Sequence, residues 1–271
     1  MQAEADGSNP DRNSRPLPVA IDLWGGYAPR GVLQLAGCLA PLRSDITCAS
    51  LIGLLLTLPG DCRVSKLLYI ESSPRKARSK SIKVANAFVE NYKATHPGDE
   101  VVTIDLWKMT LPEFDGYTID AKYQVMHGQG HDAEQAAAWK TVVDVIEEFK
   151  SADKYLFSLP MWNFGIPYKL KHYIDVIAQP GQTFSFSPET GYSGLVTGKP
   201  VAVVYARGGA YGSDQTKGMD FQMTYMQLLL GFIGFTEIQS VVVEPTLASA
   251  EDVAKTEAAA VEQAEQLAAS F

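Results

Sequence analysis

Three short stretches of this 271-residue chain bring together side chains that could do chemistry. The first, ESSPRKARSKS (71–81), offers the hydroxyls of Ser72, Ser79 and Ser81 at the start of a helical pattern, with Arg75, Lys76, Arg78 and Lys80 among them. The first N–H groups of a helix lack intrahelical partners, so such a start suits a phosphate. The helix dipole contributes only about 0.3–1 kcal/mol to that binding. Hydrogen bonds to a charged group contribute about 1.5–3 kcal/mol each, so amides and hydroxyls would carry the affinity. The second stretch, PMWNFGIP (160–167), places Met161, Trp162, Asn163 and Phe164 on a short loop bounded by prolines. The core cannot bury every ring on such a loop, and a flat ligand would complete their packing. Pro160 and Pro167 stiffen it, Gly165 is expected to give the backbone room, and Asn163 supplies a polar contact. The third, ARGG (206–209), has Gly208 and Gly209, which let the backbone approach a flat ligand edge closely. Taken singly, the first stretch could be a solvated helix start and the third a plain turn.

What positions these stretches is a regular alternation. Apolar runs at 66–70, 100–106, 153–160, 199–206 and 237–244 read as strands. Amphipathic patterns at 81–92, 132–150, 168–178, 221–234 and 249–270 read as helices, the second of them capped by Asp132. The stretch between 107 and 131 is less regular and is assigned no element. Strands three to five are nearly continuous apolar runs, as expected of strands covered on both faces. The expected fold is α/β, a five-stranded parallel sheet of order 2-1-3-4-5 with helices on both faces, its ligand at the carboxyl ends of strands one and three. All three stretches follow strand ends. A phosphate-friendly loop, an aromatic loop and a glycine loop on one end of one sheet suit a ligand with a phosphate, a flexible polyol and a planar ring. That ligand is a flavin mononucleotide (FMN).

PMWNFGIPYKLKHYID (160–175), GLVTGK (194–199), ARGG (206–209) and LGFIGF (230–235) together resemble the FMN-dependent NADH-azoreductases, flavodoxin-like NAD(P)H:quinone oxidoreductases. The resemblance runs from Lys66 to the C-terminus and leaves residues 1–65 untouched. It implies that Ser72 and Ser79, Lys80 and Ser81 hold the FMN phosphate and ribityl chain. Met161, Trp162, Asn163 and Phe164 would meet the ribityl and ring, and Ala206, Arg207, Gly208 and Gly209 the ring's polar edge. Ala206 departs from the serine common in the family, which removes a hydroxyl and keeps the amides. The resemblance also implies a ping-pong cycle in which NADH or NADPH delivers hydride to the flavin and leaves before a quinone or azo acceptor enters. It further implies a homodimer that builds each site from two subunits, with Phe186 in TFSFSP (183–188) as the candidate stacking aromatic. No side chain need act as acid or base, because the cofactor carries the chemistry. The competing readings are a flavodoxin-type electron carrier without its own substrate and a flavin-free scaffold.

A net charge of −8 argues against nucleic-acid binding and disfavours docking on anionic lipid. Residues 1–65 hold five arginines, no lysine and all three cysteines, whereas the remainder holds all fifteen lysines, all four histidines and three arginines. This break predicts a weakly ordered extension ahead of one FMN-binding domain (66–271). A transit peptide is disfavoured by Asp6, Asp11, Asp22 and Asp45. LIGLLLTLPG (51–60) is short of the roughly 20 apolar residues that span a bilayer. Cys38, Cys48 and Cys62 match no zinc or CxxC spacing, so free thiols in a cytoplasmic protein are expected and no metal site. HGQGHDA (127–133) matches a dinucleotide fingerprint in letters but follows no buried strand, and GYSG (191–194) is one residue short of a serine nucleophile elbow. His127 and His131 read as surface loop residues and His172 as a packed or hydrogen-bonded one.

Overall fold

The computed structural model describes residues 64–126 and 132–271. Nearly all of the expected N-terminal extension, together with His127 and His131, lies outside the described residues. The elements follow in the order β1 (Lys66–Glu71), α1 (Lys80–Thr95), β2 (Glu100–Asp105), α2 (Gly116–Met126), α3 (Ala133–Lys150), β3 (Lys154–Pro160), α4 (Tyr168–Ile177), β4 (Phe184–Ser187), β5 (Gly191–Gly194), β6 (Val201–Ala206), α5 (Phe221–Ile233), β7 (Ile238–Val243) and α6 (Ala250–Ala269). Five strands form one parallel sheet in the order β2-β1-β3-β6-β7, which is the expected 2-1-3-4-5 arrangement.

Successive strand residues point to opposite faces, and both faces are covered. Leu67, Tyr69, Leu156, Ala202, Val204 and Val241 pack beneath α1 and α6. Leu68, Ile70, Phe157, Leu159, Val203 and Tyr205 pack beneath α3, α4 and α5. On α6 the buried residues Ala260, Ala264 and Ala268 form a stripe at four-residue spacing, small enough for the helix to lie close to its neighbours. Asp132 caps α3 in a full capping box with Gln135, as its position predicted. The register pairs Glu71 with Asp105 and Ser158, and Ala206 with Pro160 and Val243, so the loops leaving these strands emerge side by side.

Two elements depart from the sequence reading. The first is α2, whose apolar residues Tyr117, Ile119, Ala121 and Tyr123 alternate with polar ones, a period that resembles a strand. Its start is set by Asp115, whose carboxylate accepts the Thr118 N–H at 2.9 Å. The second is the antiparallel hairpin β4–β5, two four-residue strands rich in serine. Its turn is closed by the Ser187 hydroxyl accepting from the Thr190 N–H at 3.0 Å and by Gly191 at φ +72°. The near-match to a nucleophile elbow, GYSG, is therefore β5, an ordinary hairpin strand.

Candidate active site

The loop after β1 closes onto α1 through Ser79, the N-cap, whose hydroxyl lies 3.5 Å from the Ile82 N–H and 3.1 Å from the Ser81 hydroxyl. Among the described residues nothing accepts from the N–H groups of Lys80 and Ser81, which remain open donors at a helix start. Ser72 is buried, and its hydroxyl donates to the Ser158 carbonyl at 2.7 Å, tying the loop to β3. The loop is less cationic than its composition suggests. Lys76, at φ +49°, pairs with both Glu71 and Asp105, and Lys80 pairs with Glu257 on α6. What Lys80 presents to a ligand is thus its backbone rather than its ammonium. Burial by itself would raise Asp105, but Lys76 and the Trp107 N–H outweigh it and hold that carboxyl below its ordinary value.

The stretch after β3 is a tight turn. Trp162 and Gly165 exchange N–H···O bonds of 3.0 and 2.9 Å, with Asn163 at φ +47° and Phe164 at φ +67° between them. These are the signs of a two-residue turn normally built from Asn and Gly. The left-handed positions are occupied by Asn163 and Phe164 and not by Gly165; left-handed geometry costs a side-chain-bearing residue about 1–2 kcal/mol. Strain of this kind gathers at functional sites. Phe164 is 47% exposed, touched by the edge of Tyr211. Trp162 is joined by two aromatics the sequence reading passed over: Trp107, centroid 6.0 Å away, and Tyr168 at 6.2 Å. Trp107 follows β2 directly and anchors through its indole N–H to the Ser72 carbonyl at 2.9 Å. Its position just past a strand end is the signal that could have found it.

Behind the third stretch, Arg207 is 3% exposed and turned inward. Its guanidinium meets Gln222 at 3.1 Å, Glu244 at 3.2 Å and Asp220 at 2.9 Å. Glu244 also accepts the Tyr211 N–H at 3.0 Å, so the arginine organises the turn from beneath. The Thr246 and Leu247 N–H groups are donated to the carbonyls of Arg207 and Gly208. Among the described residues nothing accepts from the N–H groups of Gly208, Gly209 and Ala210. Ala206 ends β6, and its carbonyl accepts the Met161 N–H at 2.8 Å, so the second and third stretches are joined.

Beside the aromatic turn lies a cleft of about 1070 Å³, lined by Trp162, Asn163, Gly165, Ile166 and Tyr168 together with residues of α2, α4 and α5. Its polar lining includes Lys122, Lys171, His172, Asp175 and Gln179. His172 is engaged as expected, its Nε2 lying 2.8 Å from the Pro112 carbonyl oxygen. Tyr225, also in the wall, is pushed up to about 12 by burial and by Asp175. Phe186 is not among the lining residues; it stands exposed on β4 against Tyr192, 5.0 Å between centroids.

A parallel doubly wound sheet of order β2-β1-β3-β6-β7 defines the class, and a family model described as a flavodoxin-like fold matches residues 65–268. The chain belongs to that family. An FMN-dependent NADH:quinone oxidoreductase from Desulfotalea psychrophila is 54% identical over 184 residues, 68% of this chain and 87% of that protein. One from Nitratidesulfovibrio vulgaris is 50% identical over 210 residues, 77% of this chain and all of that protein. Within the class the chain belongs with the FMN-dependent NADH:quinone oxidoreductases. The solved azoreductase from Bacillus anthracis superposes with a TM-score of 0.72 at 32% identity, over 77% of this chain and 100% of that one. An FMN-dependent NADH-azoreductase of the same species, solved with FMN, gives 0.70 at 29% identity over 75% and 98%.

The residues present fit FMN. Two open helical N–H groups beside serine hydroxyls match a phosphate, exposed aromatics match a flat ring, and open glycine N–H groups match polar ring atoms.

Proposed function

We propose that this chain is an FMN-dependent NAD(P)H oxidoreductase that reduces quinones and azo compounds by a ping-pong, two-electron mechanism. The observation that carries the reading is the convergence of three unlike loops on one end of the sheet, each with unspent donors or exposed rings. When bound, FMN supplies two-electron redox chemistry between the nicotinamide and the acceptor. The chain's part is to bind and orient. The N–H groups of Lys80 and Ser81, with the hydroxyls of Ser79 and Ser81, would bind the phosphate. Met161, Trp162, Asn163 and Phe164 would wall the ribityl and ring, and the N–H groups of Gly208 and Gly209 would favour negative charge at its polar edge. Arg207 would act on that edge only through the turn it supports.

The relatives' names specify NADH. Two of the four cations in the phosphate loop are spent on Glu71, Asp105 and Glu257, which leaves little reason for a phosphorylated dinucleotide to be preferred. The working unit in this reading is a cytoplasmic homodimer. Phe221 and Leu228 stand exposed on α5, and a second copy would bury them and bring Phe186 over the site. No helix among the described residues is long and apolar enough to cross a membrane.

Anaerobic stopped-flow mixing of the FMN-loaded protein with NADH, then with a quinone, tests the reading. Rapid loss of flavin absorbance followed by its return is expected. Absence of the first phase would leave the electron-carrier alternative standing.

A further inference from the structure

We propose that Lys122 reads an anionic substituent, a sulfonate or a carboxylate, on the electron acceptor and so sets the preference among acceptors. The inference rests on the oxidoreductase reading above and deepens it. Lys122 belongs to α2 and lines the same cleft as Trp162 and Asn163. Its ammonium lies 5.8 Å from the ring centroid of Phe114 and 5.6 Å from that of Tyr123. Among the described residues no carboxylate pairs with it, and burial lowers its pKa.

The other charged groups of the wall are already engaged. Asp175, which shares the cleft, is held by Lys171 at 2.6 Å, four residues away on the same helix face. The charge left unspent is positive, on a chain whose net charge is −8. A half-buried ammonium has lost hydration that no counter-ion replaces, so an anion placed beside it gains more than one beside a solvated lysine. The aromatic faces around it stabilise the cation without neutralising it. Gln179 in the same wall is 2% exposed, and among the described residues its Oε1 has no hydrogen-bond partner. A planar acceptor in this cleft would meet that cation through its anionic substituent.

The test compares 1,2-naphthoquinone-4-sulfonate with 1,2-naphthoquinone, which differ by one anionic group. In Lys122→Met, which keeps an apolar stem over Phe114, the ratio of kcat/KM for the sulfonate to that for the neutral quinone should fall about tenfold, the size of one charge-assisted contact. Lys122→Arg should restore most of it. Calorimetric titration with 2-naphthalenesulfonate should weaken about tenfold in Lys122→Met. An unchanged ratio, an equal loss for both quinones, or a loss confined to the KM for NADH would each overturn the assignment. Failure of the unsubstituted protein to turn over either quinone would instead refute the oxidoreductase reading.

Discussion

A Cβ atom on Gly194 would stand 2.3 Å from the Cα of Gly234. The two glycines meet where the β4–β5 hairpin is pinned to the end of α5, and the Val196 N–H donates to the Ile233 carbonyl at 2.9 Å beside them. They belong to GLVTGK and LGFIGF, distant in sequence and unexplained by local pattern. The obstacle is backbone, which cannot step aside as a flexible side chain does. Gly194→Ala is therefore expected to cost at least about 2 kcal/mol. Urea unfolding measures it; a loss under about 0.5 kcal/mol would show that the contact is looser than drawn.

Arg207 is held by Asp220, Glu244 and Gln222 in a buried network. Removing the cation leaves two carboxylates without compensation, so Arg207→Met should destabilise by about 3–5 kcal/mol. Arg207→Lys should recover only part of this, because a compact ammonium lacks the planar fork that reaches Gln222, Glu244 and Asp220 together. Thermal unfolding of both variants checks the order.

At the aromatic turn, fold and binding should separate. Trp162→Ala and Asn163→Ala are expected to weaken FMN retention by roughly tenfold or more while the far-ultraviolet dichroism of the sheet is kept. Phe164→Gly removes an exposed ring and relieves left-handed strain, so its stability should stay within about 1 kcal/mol of the parent, whereas Phe164→Val should lose more. Equilibrium dialysis of FMN, paired with melting curves, reads both effects. Equal flavin retention in both alanine variants would displace the site from this turn.

Acid should loosen the clamp between α1 and α6. Burial by itself raises the Glu257 carboxyl, but its bonds to Lys80 and Lys83 outweigh that and hold it below the ordinary 4.5. A carboxylate depressed in the folded state contributes its stability in full above the unfolded value and loses it as pH falls through the folded one. Because Lys80 and Lys83 are 38% and 61% exposed, the contribution is at most about 1 kcal/mol. Glu257→Gln should be less stable than the parent near neutral pH by that amount, with the gap closing in strong acid; urea titrations at the two conditions compare them. A gap that persists in acid would mean that Glu257 acts through packing.

The five strands of the parallel sheet and their order were legible in the sequence, because apolar runs alternating with amphipathic helices admit few parallel topologies. The three loops could be named for the same reason, since each follows a strand end. What only the tertiary structure decided is where their side chains point. Nothing local says that Arg207 turns under its own turn to reach Asp220 and Glu244, that Lys76 and Lys80 spend their charge on Glu71, Asp105 and Glu257, or that Asn163 and Phe164 rather than Gly165 take the left-handed positions. Ion-pair partners lie as far as 177 residues away, as with Lys80 and Glu257, and periodicity carries no information across such a distance. The helix α2, hidden by an alternating pattern, brings Lys122 to the cleft, and only the packed fold puts that charge in the same cleft as Trp162.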